Sequence, residues 1–151
     1  MNPLLYRASL AALALLMAAC RDTSGVDSLN HKTVVLPDGS KIYCEVMIRS
    51  EDMGRGMMHR ESLDANKGML FVHTNPGPYP YWMHNVKIPL DIIWLSPDRT
   101  IVEISQHTPP CLKESKECPI HGGNFMSMYV LELAAGGASK HKLKLGDTIN
   151  W

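Results

Sequence analysis

Asp91 and Glu132 are carboxylates set in apolar company. Asp91 interrupts "IPLDIIWL" (88–95), with Ile93 and Leu95 on its own face and Ile88, Leu90, Ile92 and Trp94 on the other. Glu132 interrupts "MYVLEL" (128–133), on the face of Met128 and Val130. A strand apolar on both faces is central to its sheet, and an ionised carboxylate inside it is costly unless paired or hydrogen-bonded. Arg55 and Arg60, in the segment "GRGMMHRESL", are the expected partners, because a guanidinium fork can hold a carboxylate through two parallel bonds. Three roles follow for this set. The favoured one is a structural network that clamps a short helix onto the sheet; the second is the floor of a polar pocket with Trp82 and Asn85 at its mouth. The third is an acid–base pair made of Asp91 and Glu132, which requires both groups to converge on one substrate.

Other residues could hold a metal. Outside residues 1–19 the chain has eight methionines and seven histidines, and thioethers with imidazoles suit Cu(I). "GMMH", "WMH" and "FMSM" contain the candidate donors, but alternation turns Met83 and His84 to opposite sides of a strand. Met126 and Met128 have the spacing of core residues. No metal or other cofactor is therefore expected. Cys111 and Cys118 enclose "CLKESKECPIHGG"; the expectation is a disulfide that orders the loop, the rival being metal ligation with His121, which matches no common zinc spacing and lacks a fourth ligand. Cys44 in "KIYCEVMI" shares a face with Ile42, Val46 and Ile48 and reads as a buried thiol.

The disulfide expectation rests on where the chain is sent. Arg7 precedes twelve uncharged residues, Ala8 to Ala19, that end in Leu16-Met17-Ala18-Ala19 before Cys20. Such a run is shorter than the roughly 20 residues of a membrane span and has the layout of a signal peptide. Its final residues resemble a bacterial lipoprotein signal, with Cys20 acylated as the new N-terminus; an ordinary secretory signal cleaved near Ala19 is the alternative. Residues 1–19 are thus expected to be removed, 20–32 to be a flexible tether, and 33–151 to form one domain. The expected place is the bacterial envelope, attached to a membrane through Cys20, with the outer membrane weakly favoured by Arg21. After such cleavage 14 basic and 15 acidic side chains remain. Near-neutral charge without a basic cluster argues against a nucleic-acid surface. A monomer is expected.

The elements that must position these groups are mostly short strands. "TVVL" and "KIYCEVMIR" flank a Pro37-Asp38-Gly39 turn, and Ser50-Glu51-Asp52 opens a helix near 51–57. "GMLFVH", "YWMHN", "IPLDIIWL", "IVEISQH" and "FMSMYVLELAA" are strands. "NPGPYP" is expected to be a loop because of its prolines. Gly136-Gly137 starts a second short helix, and "TIN" is a closing strand. The pattern is a mainly β, α+β domain with two or three short helices.

In order and spacing, "RGMMHRESL", "KGMLFVH", "YWMHNVKIPLDIIWL", "HTPPC", "YVLELAAG" and "KLGDTI" resemble domain-of-unknown-function family 192 over residues 33 to 151. The resemblance implies a compact, barrel-like antiparallel or mixed sheet, often exported, and implies no activity. His59 and His84 depart from the residue types usual in the family at those places and inherit no shared role. The leading functional expectation is a lipid-anchored module that binds a small molecule, a glycan or an envelope component. An envelope hydrolase using Asp91 and Glu132 is the second expectation, and copper handling through Met and His the third.

Overall fold

The computed structural model describes residues 30–151; the proposed signal, Cys20 and most of the tether lie outside them. A six-stranded mixed sheet organises the chain in the order β1-β2-β3-β8-β5-β6. Its strands are β1 (His31–Val35), β2 (Lys41–Met47), β3 (Lys67–Pro78), β5 (Leu90–Leu95), β6 (Ile101–Thr108) and β8 (Met126–Ala134). β4 (Tyr81–Trp82) and β7 (Ile120–His121) form a separate ribbon. β2 and β3 run parallel, joined by a crossover that carries α1 (Ser50–Arg55); the other named pairs are antiparallel.

The fold is mainly β, as the strand periodicity indicates, but the sheet is open. Edge strands β1 and β6 do not pair with one another. The segment after α2 (Gly137–Lys140) spans the gap instead. Asn150 exchanges two backbone hydrogen bonds with Val35, and Asp147 and Ile149 bond to Ile101 and Arg99. Arg99 also lies 4.6 Å over the Trp151 ring and donates to the Trp151 carbonyl. "TIN" is therefore a strap of isolated bridges in place of a closing strand.

Because β5 and β8 are central, alternate residues feed two cores on opposite faces of the sheet. One face holds Cys44, Leu70, Ile93, Leu95, Leu131 and Leu133 under Ala138 of α2. The other holds Met69, Phe71, Ile92, Trp94 and Val130, covered by Met57, Met83 and the Cys111–Cys118 loop. All six residues of β5 are buried, matching the two-sided apolar pattern. Cys44 is buried as expected, and desolvation pushes its thiol up to about 12; Ile48, placed on the same face by alternation, lies beyond the strand and is exposed.

Two local expectations are corrected. β3 continues through "NPGP", with Gly77 opposite Ser127 and Pro78 opposite Met126 after a bulge. Its pairing with β2 ends at Phe71, so this stretch has β8 on one side only. Proline lacks only a donor, and the unpaired edge does not need one. "YWMHN" is extended only at Tyr81 and Trp82. Beyond them the Met83 carbonyl accepts from both Val86 and Cys111, and Asn85 takes φ 57°, which ends the strand in a turn.

Candidate functional site

Asp91 and Glu132 do not converge. In the β5–β8 register Asp91 is opposite Leu133 and Ile92 is opposite Glu132. Directly paired residues project to the same side, so the two carboxyls lie on opposite faces of one sheet. The acid–base pair considered from sequence is excluded by the pleat itself.

The arginine partner expected for Asp91 is also corrected. Asp91 is completely buried, and its two oxygens accept backbone N–H bonds from His107 at 2.7 Å and Ala138 at 2.8 Å. The first donor comes from a bulge: Leu90 pairs with Thr108 but Ile92 with Ser105, so Gln106 and His107 together stand opposite Asp91, one residue more on β6 than on β5. A 2.8 Å bond between Ser105 and Thr108 hydroxyls closes that bulge, and His107 has φ 51°. The second donor is in the first turn of α2, where a carboxylate satisfies an orphan N–H and suits the helix dipole. Asp91 thus clamps a helix to the sheet, but the helix is α2 and the donors are main-chain groups.

Neither arginine touches it. Arg55 bonds Asp52 at 3.0 Å, with its side chain 72% exposed. Arg60 makes a two-pronged pair with Glu45 at 2.5 and 2.7 Å, which holds the Glu45 carboxyl below its ordinary range, chiefly through those hydrogen bonds. This pair lines a groove of about 320 Å³ with His31, Tyr43, Asp64 and Lys67. Asn85 serves the chain turn: its amide donates to Cys111, its carbonyl accepts from His59, and its side chain reaches only His84 at 3.5 Å.

Glu132 is different. It is 4% exposed, and its Oε2 has no hydrogen-bond partner. Burial pushes its carboxyl up to about 8, opposed by the charge of Arg60. It sits at a narrow crevice of about 30 Å³ bordered by Phe71, Tyr81, Trp82, His84 and the segment Met53–Met58, which includes Arg55. A void of that size has room for about one or two water-sized groups. Three residues singled out from sequence, Arg55, Trp82 and Glu132, therefore meet at one place, while Asn85, Asp91 and Arg60 serve elsewhere.

The aromatic side of the crevice is built by short-range geometry. Tyr81 meets Phe71 edge to face at 5.1 Å and Trp94 at 6.0 Å. Its hydroxyl is 3.2 Å from His73 Nε2, and His73 stacks on Tyr79 at 3.5 Å. Desolvation first, then the negative charge of Glu132, raises the Tyr81 phenol. Trp82 remains 42% exposed and lies 5.1 Å from the His84 ring. Phe71, Tyr81 and Met53 carry no sequence signal as site residues, and Met58 only that of a metal donor in "GMMH"; the register that pairs Met69 with Glu132 and Phe71 with Val130 places Phe71 on Glu132's face.

Of the candidate metal donors, Met57, Met58 and His84 border this crevice, whereas Met126 pairs with Pro78 at the far end of β3. Among the described residues no group of three or more His, Cys, Asp or Glu could hold a metal. Cys111 and Cys118 form the expected disulfide, with Cα atoms 5.8 Å apart. It closes the loop carrying the short 3-10 turn Ser115–Glu117 and leads into β7, which the loop's polar sequence did not announce.

Comparison with known proteins places the chain by fold and sequence. The profile of domain-of-unknown-function family 192, described as uncharacterized ACR, matches residues 33–151. A solved structure from Sinorhizobium meliloti 1021, provisionally described as a transcription regulator, is 27% identical with a TM-score of 0.70, covering 78% of this chain and 89% of that one. A protein of unknown function from Novosphingobium aromaticivorans DSM 12444 is 28% identical, also at 0.70, covering 84% and 89%. No curated protein matches the chain significantly in sequence.

Proposed function

The chain belongs to domain-of-unknown-function family 192, and from that premise we propose that it is an exported, lipid-anchored envelope protein that binds a small polar ligand at the Glu132 crevice. The observation that carries the binding reading is the orphaned, buried Oε2 of Glu132. A native fold rarely leaves a buried polar atom unpartnered, and the residue that carries this one lines a crevice with an exposed tryptophan beside it. Trp82 offers a flat apolar face for the body of a ligand, sugars and other hydroxylated molecules included. The crevice admits one small group of that ligand to Glu132.

Attachment rests on the lipoprotein-type sequence ending at Cys20. Among the described residues no helix is long and apolar enough to cross a membrane, so the acyl chains on Cys20 would supply the hold. Cys20→Ala is expected to move the protein from the membrane fraction to the soluble fraction; a variant that is processed and still sediments with membranes refutes the anchor. The binding reading is tested by a thermal-shift screen of the purified protein and its Trp82→Ala variant against polyols, sugars and small amines. A ligand at 100 times its dissociation constant adds about 2.7 kcal/mol of stability. Stabilisation of the wild type that Trp82→Ala loses supports the crevice; equal shifts in both, or none with any compound, refute it.

Near-neutral charge gives no support to carrying over the transcription-regulator description of the Sinorhizobium relative.

A further inference from the structure

The crevice combines features whose sum is more selective than any one of them. Its only buried oxygen without a partner belongs, among the described residues, to a carboxyl. Its apolar border includes three aromatic rings, Phe71, Tyr81 and Trp82, of which the first two stand at 86° to one another. Rings attract cations through their faces, and a buried carboxylate needs either a positive partner or hydrogen-bond donors to remain ionised; Asp91 has the donors, and Glu132 Oε2 has none. The two arginines near enough to help are committed: Arg55 to Asp52 and Arg60 to Glu45. The missing cation is thus left to come from outside.

We propose that the Glu132 crevice is a receptor for a primary ammonium group, such as that of an alkyl amine, an amino sugar or a lysine side chain. This inference rests on the small-ligand reading above and names the group that enters. Size selects the class: a crevice with room for one or two water-sized groups suits an NH₃⁺ head, whereas a trimethylammonium brings three methyl groups besides its nitrogen. Charge selects it against a hydroxyl. An ammonium donates to Oε2 with charge assistance, and its arrival ionises Glu132, releasing a proton to solvent. Met53, Met58 and Arg55 leave the rest of the border without a competing anion. The groups facing Glu132 that could alter this titration are Arg60 and Arg55 from the crossover segment, Tyr81 from β4 and His84 from the following turn.

The test is an NMR titration of the purified protein with ethylamine and 1,4-diaminobutane, with ethanol and 1,4-butanediol as neutral counterparts and choline as the oversized cation. The amines are expected to perturb the Trp82 indole saturably, the alcohols and choline to leave it unmoved. Glu132→Gln should weaken amine binding about a hundredfold, the scale of losing a hydrogen bond to a charged group, while Trp82→Ala, followed on the backbone amides of Met53–Met58, weakens it without affecting folding. Amine affinity should rise with pH below about 8, where Glu132 must lose its proton to bind, and level off above. Binding of alcohols as tight as that of amines overturns the ammonium assignment and leaves the small-ligand reading standing. Saturable Cu(I) binding that Glu132→Gln does not weaken, with amines silent, overturns it in favour of thioether ligation. Silence of all probes overturns the ammonium assignment, and the small-ligand reading then falls only if the sugars and polyols of the thermal-shift screen are silent too.

Discussion

The two faces of the central sheet solve the same problem in opposite ways. Each carries a carboxyl that alternation drives into an apolar layer, one residue apart in the β5–β8 register. On the α2 face the bulge of β6 and the first turn of α2 bring two N–H groups to Asp91, one for each oxygen. On the α1 face no donor reaches Glu132 Oε2, and a crevice with an aromatic border occupies the space instead. Burial depth is nearly equal, so depth does not separate structural carboxyls from candidate functional ones. The count of donors does.

Near pH 5 the largest consequence of that difference is expected at Asp91. Asp91→Asn keeps the shape but turns one acceptor into an NH₂ facing the N–H of His107 or Ala138. Losing a charge-assisted bond and leaving a buried donor unpaired should destabilise the protein by about 3 kcal/mol. Urea unfolding measures it, and hydrogen exchange should show the loss concentrated at Ala138 and His107. A change below about 0.5 kcal/mol, within the range of ordinary surface substitutions, would mean that the clamp contributes nothing.

Much of this division was legible in the sequence, and part of it could not be. Two-sided apolar alternation gave β5 and β8 as central and marked both carboxyls as anomalous. It also fixed their opposite faces once the register was known, but register is a pairing between distant segments and leaves no mark on either one alone. The donors to Asp91 are main-chain N–H groups, which every residue except proline carries, so residue type points to arginines and leaves the true donors unmarked. Arg60 lies on the other face, where its charge acts on Glu132 and its hydrogen bonds go to Glu45 on β2. β3 ran on through Pro76 and Pro78 because its outer edge was unpaired, a fact of topology. Met53 and Met58 sit at the crevice by virtue of α1's placement over Phe71, with Gly56 approaching that ring closely: a Cβ there would lie 3.3 Å from Phe71 Cζ.

The effect at Glu132 depends on pH, absent near pH 5 and growing as pH rises. Its carboxyl is raised in the folded protein from an ordinary value of 4.5 to about 8, mainly by desolvation. Between those values the folded state holds a proton that the unfolded state has released. Stability must then fall as pH rises from about 4.5 to about 8 and flatten above it. Glu132→Gln removes this slope, so the variant should match the wild type near pH 5 and exceed it at pH 9. Thermal unfolding across that range checks the sign. Parallel curves for the two proteins would place Glu132 in contact with water or a partner that restores its ordinary titration.

The smallest effect is expected at Arg60, and it bears on whether the two faces are independent. The Arg60–Glu45 pair is about one-third exposed, a setting in which ion pairs contribute roughly 0.2 to 1 kcal/mol, so Arg60→Met should cost no more than that. Double-mutant cycles then sharpen the comparison. Arg60→Met with Asp91→Asn should be additive, because Asp91 is satisfied by backbone donors on the far face. Arg60→Met with Glu132→Gln should show coupling above pH 8 and lose it near pH 5, because Arg60 opposes the desolvation of an ionised Glu132 and has no charge to meet once that carboxyl is protonated. Coupling to Asp91 that survives at both pH values would restore the arginine partnership that the main-chain geometry displaces. Additivity with both carboxyls would mean that Arg60 belongs wholly to Glu45 and that the charge needed to ionise Glu132 is absent from the protein until a ligand brings it.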